Sequence, residues 1–223
     1  MMLKLTLDLF RYNGSTSTNS GDTMSTVVKP ALLTESEYLR GELLSEIKHE
    51  FVDGQVYAMA GASANHGRIS GNIFRKFGNH LENSPCETHM SDMKVKTPSG
   101  NYRYPDVLVV CDNNYINDSY ATETPTILVE VISKSTRKTD EQIKRMEYIN
   151  IPTLQEYVII EQDFVDIAVF RKSDDWRHTN YFLGDEIHFE SINLTVSVEE
   201  IYHRVQNEDM AAFIEQKQKE AEQ

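Results

Sequence analysis

Cysteine is almost missing. Cys86 and Cys111 are the only two in 223 residues, too few for a disulfide framework and without the close spacing of a zinc site. Reduced, buried thiols are the expectation. Long apolar runs are also missing: no stretch approaches the roughly 18 residues that a membrane span requires. The first ten residues, interrupted by Lys4 and Asp8, are too short and too polar for a secretory signal. A cytoplasmic protein with no membrane partner is therefore expected. Basic charge is in deficit, with 22 Lys and Arg against 35 Asp and Glu and a net charge of −13. That excludes a generally basic, phosphate-coating surface. Internal repeats are absent as well.

What is present suits a globular fold. At 39% hydrophobic and 26% charged residues, the chain can bury a substantial core, and its length suits one domain with appendages. The acidity is peripheral. Residues 61 to 145 carry 11 Lys and Arg against 10 Asp and Glu, so the flanks hold the excess. The centre is close to neutral, with local basic clusters at Arg75–Lys76, Lys94 with Lys96, Lys134 to Lys138, and Lys144–Arg145. This distribution permits a phosphate-bearing substrate there.

Residues 1–32 read as a disordered or over-extended leader, low-complexity and polar from Asn13 to Thr26, with Met24 as an alternative start. A domain is expected over 33–205 and a polar tail, helical but frayed, over 206–223. Thr34 and Glu37 form a capping box that opens a short helix. Asp53-Gly54 between two alternating runs, 49–52 and 55–59, predicts a β-hairpin. Ile69, Ile73, Phe77 and Leu81 recur every fourth residue and predict a helix capped by Ser63 or Asn65. Strands are expected over 87–96, 104–111 and 126–132. A helix capped by Ser135 or Thr136 should follow, stopped by Pro152. Strands over 156–161 and 165–171, a hairpin over 176–189 and a short helix over 198–205 complete the order. The fold class is α/β (α+β), with a mixed β-sheet core flanked by helices.

One residue disturbs this pattern. Thr126-Ile127-Leu128-Val129-Glu130-Val131-Ile132 reads as a strand buried on both faces, yet it contains a glutamate. A buried carboxylate is costly unless a cation, a metal or dense hydrogen bonding meets it. A structural ion pair with an arginine would suffice. A second apolar strand begins at Tyr104-Pro105-Asp106, and if the two strands are neighbours, Asp106 and Glu130 lie side by side. Two carboxylates so close require that one be protonated or that a cation sit between them. An oxygen-seeking divalent ion is the economical answer. Lys134, two strand positions beyond Ile132, and Lys144, on the following helix with Asp140 and Tyr148 at i,i+4 spacing, are the available ammonium groups.

Pro105-Asp106, Glu130-Val131-Ile132 and a helical lysine resemble the signature of the PD-(D/E)XK nuclease superfamily, and more narrowly the Uma-two family of restriction endonuclease-like proteins. The likeness also takes in 48–54, 58–63 with His66, 91–95, 104–107, 129–133 and 154–158, in order across about residues 33 to 205. A bare PD…ExK pattern would be weak, whereas this ordered series is specific. Ile132 departs from the superfamily, which has lysine there; Lys144 is a migrated substitute and Lys134 its rival.

The resemblance implies a restriction endonuclease-like fold with an N-terminal β-hairpin and extra C-terminal strands. It also implies Mg²⁺- or Mn²⁺-dependent hydrolysis of DNA. The metal ligands would be Asp106, Glu130 and the Ile132 backbone carbonyl. Glu50 would join that shell, Lys144 or Lys134 would serve the attacking water, and His66 and Lys96 would contact substrate. A homodimer that cuts both strands is the candidate assembly. A fold without turnover, used for binding, and a phosphodiesterase acting on RNA or nucleotides are the competing expectations.

Overall fold

A computed structural model of the chain describes residues 32–112, 115–116, 120–133, 137 and 139–222. It divides into two compact units, one formed by the segment up to Ala60 with Gly100–Tyr102, the other by Gly61–Ser99 with Arg103–Gln223.

The first unit is built on a helix and a hairpin. Helix α1 (Glu35–Glu42) starts at Thr34, whose hydroxyl accepts from the Glu37 amide while the Glu37 carboxylate accepts from the Thr34 amide at 2.8 Å. Strands β1 (His49–Val52) and β2 (Gln55–Ala58) pair antiparallel across Asp53 and Gly54. Both turn residues have positive φ, 49° and 80°, which the tight hairpin turn demands and which Asp-Gly tolerates. Tyr38 of α1 stacks on Phe51 with ring centres 4.8 Å apart. Tyr102, the first residue of β5 (Tyr102–Arg103), pairs with Phe51 and closes this small core.

The second unit is organised by a six-stranded sheet in the order β12-β11-β10-β9-β6-β3. The strands are β3 (Glu87–Met90), β6 (Val107–Val110), β9 (Pro125–Ile132), β10 (Glu156–Glu161), β11 (Ile167–Arg171) and β12 (His178–Tyr181). Within this sheet only β9 and β10 run parallel; the remaining pairs are antiparallel. A smaller ribbon joins β4 (Lys94–Lys96), β7 (Tyr115–Ile116) and β8 (Ala121–Thr122).

Residues of one strand parity enter one core and those of the other parity enter a second core. In β9, Ile127, Val129 and Val131 pack under α2 (Ala64–Leu81), against Ile69, Ile73 and Phe77. Leu128 and Ile132 face the opposite way, toward Tyr148, Ile151 and Leu154. Complete burial of each Val, Leu or Ile stabilises the fold by roughly 1.5–3 kcal/mol. A strand filled on both faces therefore has one strongly preferred register. Glu130 shares its face with Leu128 and Ile132.

The helix after β9 differs from expectation. It opens as a π-helical turn over Thr139–Lys144 and becomes α-helical over Arg145–Tyr148; we call the whole α3. The expected caps Ser135 and Thr136 lie outside the described residues. Other differences have clear local causes. The expected strand 87–96 breaks into β3 and β4 because Ser91 takes φ 54° and the Asp92 amide donates to the Met90 carbonyl. The expected hairpin over 176–189 does not form. Strand β12 pairs with β11, whereas β13 (Glu186–Phe189) pairs with β14 (Leu194–Ser197), which lets Ile187 and Phe189 enter the core beneath α2.

The cysteines are joined as a Cys86–Cys111 disulfide rather than held as reduced thiols. The ladder that pairs Glu87 with Val110 brings the next residues outward, 86 and 111, opposite each other, a relation their spacing of 25 conceals. After α4 (Val198–Ile201), the tail forms α5 (Glu208–Ala221), capped by the Asn207 side chain and anchored by buried Met210. Among the described residues no helix is long and apolar enough to cross a membrane.

Candidate active site

Strand register creates the site. Pairing of Val107 with Val129 in the antiparallel β6–β9 ladder carries Asp106 to the level of Glu130. Asp106 turns its Oδ2 toward β9 and accepts the Val131 amide at 2.7 Å. Glu130 is 3% exposed and points to the face that α3 covers. There its Oε1 accepts from Lys144 Nζ at 3.1 Å and from the Tyr148 hydroxyl at 2.9 Å. Lys144 also reaches Asp140 Oδ1 at 3.1 Å, so one ammonium bridges two carboxylates.

Three contacts hold α3 in this position. Tyr157 of β10 donates to the Asp140 carbonyl at 3.0 Å. Arg103 grips Glu147 with two hydrogen bonds, at 2.9 and 2.7 Å, the planar fork geometry that suits a carboxylate. The third is Tyr148 itself, anchored on Glu130. The negative groups also act on Tyr157: burial first, then the charges of Glu130, Asp140 and Asp106, hold its phenol far above the ordinary range.

The N-terminus of α2 supplies the other wall. Ser63 caps the helix by accepting from the His66 amide, and its hydroxyl also meets Gln162. His66 then extends its Nε2 to within 3.1 Å of Asp106 Oδ2. Burial by itself pushes the His66 imidazolium down. The hydrogen bond and charge of Asp106, with the charge of Asp140, outweigh it, and His66 titrates above its ordinary value. The expected substrate contact thus has a carboxylate partner.

The other sequence candidates are dispersed. Ile132 is fully buried, and its carbonyl accepts the Gln162 amide at 3.2 Å. Lys96 of β4 pairs with Glu123 at 3.4 Å. Glu50 lies buried in β1 of the first unit. Lys134 lies outside the described residues. Asp140 and Tyr148 were visible in the sequence only as helical neighbours of Lys144; that both converge on its ammonium or on Glu130 is new. The Ser63–Gln162 contact left no sequence signal, since its partners are 99 residues apart.

On the same sheet face, beside Glu130, a cavity of about 320 Å³ opens between Arg145, Phe170, His178 and Asn180. Ile159, the register partner of Glu130, lies in its floor.

These residues suit a hard divalent cation. Asp106 Oδ1 accepts a hydrogen bond from no described residue, and the donors at hand are carboxylate oxygens, the ligands that Mg²⁺ and Mn²⁺ prefer. No cluster of three or more metal-ligating side chains occurs among the described residues. The pair therefore suits an ion that keeps waters and takes the remaining ligands from substrate.

Comparison with known proteins shows the family and the fold. Residues 35–199 match the Uma2 family, described as "Putative restriction endonuclease". The chain belongs to the Uma2 family. Two uncharacterized proteins of Synechocystis sp. (strain ATCC 27184 / PCC 6803 / Kazusa) are similar over most of its length. One, slr1290, is 38% identical over 173 residues, 76% of this chain and 91% of that one. The other, sll1609, is 34% identical over 155 residues, 68% and 88% of the two chains. A crystal structure from Anabaena variabilis ATCC 29413, described as "a putative nuclease belonging to DUF820", shares the fold. Its TM-score is 0.67 at 13% identity, covering 78% of this chain and 99% of that one. The Uma2 chain thus has the mixed-sheet architecture of a nuclease-like fold.

Proposed function

We propose that this protein is a metal-dependent endonuclease that hydrolyses DNA phosphodiester bonds. One observation carries the reading: Asp106 and Glu130 stand at one level on neighbouring strands, with the Lys144 ammonium 3.1 Å from Glu130. Asp106 and Glu130 would hold a Mg²⁺ or Mn²⁺ ion, which supplies Lewis-acid polarisation of a phosphate and a more acidic bound water.

The protein's own groups have defined parts. Lys144 carries its positive charge in a largely water-excluded place, where it can offset negative charge on a reacting phosphate and orient a water. Asp140 holds that ammonium and Tyr148 holds the Glu130 oxygen it meets, so its direction is set before substrate arrives. His66 meets the same Asp106 oxygen that accepts the Val131 amide and limits rotation of the carboxylate.

The test is incubation of supercoiled plasmid, linear duplex, single-stranded DNA and RNA with purified protein in Mg²⁺, Mn²⁺ or EDTA. DNA cleavage that requires the cation and disappears in Glu130→Ala and Asp106→Ala is expected. Failure to cut any DNA with either ion, or equal cutting by Glu130→Ala, refutes the proposal; preference for RNA reassigns the substrate. A second reading rests on a specific contact: Lys144 and Tyr148 already satisfy Glu130 Oε1. A nuclease-like fold used for binding without turnover would keep that arrangement. Titration calorimetry without divalent-ion binding supports this second reading against the first.

A further inference from the structure

The geometry points to a second nucleic-acid element: a basic cleft along the outer face of α2 that grips the sugar–phosphate backbone. This rests on the nuclease reading above but uses none of its residues. The cleft encloses about 360 Å³, and its charged lining is Arg68, Arg75 and Arg204, with His203 beside them and no carboxylate among the described residues. In a chain of net charge −13, three cations with no opposing charge at one place are a departure from the surface as a whole. No described carboxylate pairs with any of the three arginines. The nearby acids of α4 are engaged elsewhere, Glu200 by Lys76 and Glu199 by the Gly184 amide.

The cleft is rigidly mounted. Asn72 donates its side-chain amide to the carbonyls of Ile201 and His203, at 3.0 and 2.9 Å. Nearer the start of α2, Asn65 clamps Gln206 by accepting its amide and donating to its carbonyl. The segment between these clamps carries Arg204 in a left-handed conformation, φ 65°, which a bulky residue adopts only when its surroundings require it. Arg68 is braced by Asn65 Oδ1 at 3.0 Å. Arg68 and the backbone that carries Arg204 are therefore held in advance of any ligand.

Spacing favours a polymer over a single anion. Arg68 and Arg75 are seven residues apart and share a helix face, ~10 Å along the axis at the α-helical rise. That distance is about three nucleotide rises along the axis of a DNA duplex, too long for one phosphate to bridge. Gly67 and Gly71 lie beside them on the helix, and a Cβ at either would meet nothing within 4 Å. Packing against described residues does not demand glycine there, while its absence of side chain keeps the floor low for an approaching backbone. His66, at the first turn of the same helix, reaches Asp106 from the opposite face, so the cleft is a contact with the duplex separate from the carboxylates.

The test is fluorescence anisotropy of a labelled DNA duplex with the full chain in EDTA, so that no turnover interferes, across ~50–200 mM salt. The expected result is a plot of log affinity against log salt that becomes shallower by about 1 for Arg75→Gln and about 2 for Arg75→Gln/Arg204→Gln. Weakening should be uniform across duplex sequences. Arg177→Gln removes the same charge from an exposed arginine paired with Asp174 outside the cleft, and it should leave the slope unchanged. A wild-type slope in the double variant overturns the proposal, as does an equal loss in Arg177→Gln. Displacement of the duplex by inorganic phosphate at an equal phosphate concentration also overturns it. Binding with the expected slope but no cleavage retains the cleft and discards the nuclease. Cleavage with an unaltered slope in the double variant does the reverse.

Discussion

Replacing Lys144 by methionine tests the centre of the site. Methionine keeps the length and apolar stem of lysine but removes the ammonium that stands 3.1 Å from both Glu130 and Asp140. At that distance each contact is an attraction of ~5 kcal/mol for an effective dielectric constant of about 20. Desolvation of the buried ions takes back several kcal/mol, and loss of one partner from such a cluster typically destabilises by ~3–5 kcal/mol. Solvent screening does little to reduce this, because the side chains of Lys144 and Glu130 are 10% and 5% exposed.

Trp176, the single tryptophan, packs against the core on the Glu130 face, so its fluorescence in urea reports the right region. With a slope of about 2–3 kcal/mol per molar, the midpoint of Lys144→Met should fall by about 1–2 M at pH 7.5. The penalty should shrink toward pH 4. A buried carboxylate without its cation binds a proton more tightly folded than unfolded, so the cost is full at high pH. It disappears below the unfolded carboxylate value of about 4.3. A midpoint shift under about 0.3 M, or a shift that does not depend on pH, would show that Lys144 does not neutralise these carboxylates.

His66→Gln should lose stability in acid more than in alkali. The raised His66 titration contributes stability fully present below the ordinary histidine value and lost as pH rises through the folded one. Thermal melts of variant and wild type should therefore converge at alkaline pH, and a constant gap would exclude the His66–Asp106 pair as the source. Thiol titration of unreduced, denatured protein should find no free cysteine, because Cys86 and Cys111 are joined. With a sequence separation of 25 between the bridged positions, Cys86→Ser/Cys111→Ser should destabilise the chain by about 3.5 kcal/mol on chain-entropy grounds. Two free thiols in the unreduced protein would refute the bridge.

Local chemistry made much of this structure legible. Asp53-Gly54 specified its turn because few residue pairs accept two successive positive φ values, and Ile69, Ile73 and Phe77 specified a helix face because the period is unambiguous. Glu130 was legible as an anomaly, since burial makes an unaccompanied carboxylate costly. Long-range pairing was not. Ser63 with Gln162 and Cys86 with Cys111 depend on the order in which strands assemble, which no short window contains. The misplaced 176–189 hairpin has the same origin: both strands were recognisable, but the choice between β11, β13 and β14 as partners is made by the cores on either side. The π-helical turn before Lys144 carries no composition of its own.

That turn belongs to a wider consequence of where the lysine sits. At position 132 of the strand, an ammonium would be fixed by the sheet ladder and would persist as long as the sheet did. Ile132 fills that place with apolar bulk, and the charge arrives on α3 instead, through contacts from Tyr148, Tyr157 and Arg103. Neutralisation of Glu130 thus depends on a segment outside the sheet, whose opening would remove the cation without unpairing a strand. Amide hydrogens of α3 and the ionisation of Glu130 become two readouts of one local equilibrium. A ligand that favours the closed form slows exchange of the former and fixes the latter in the same step.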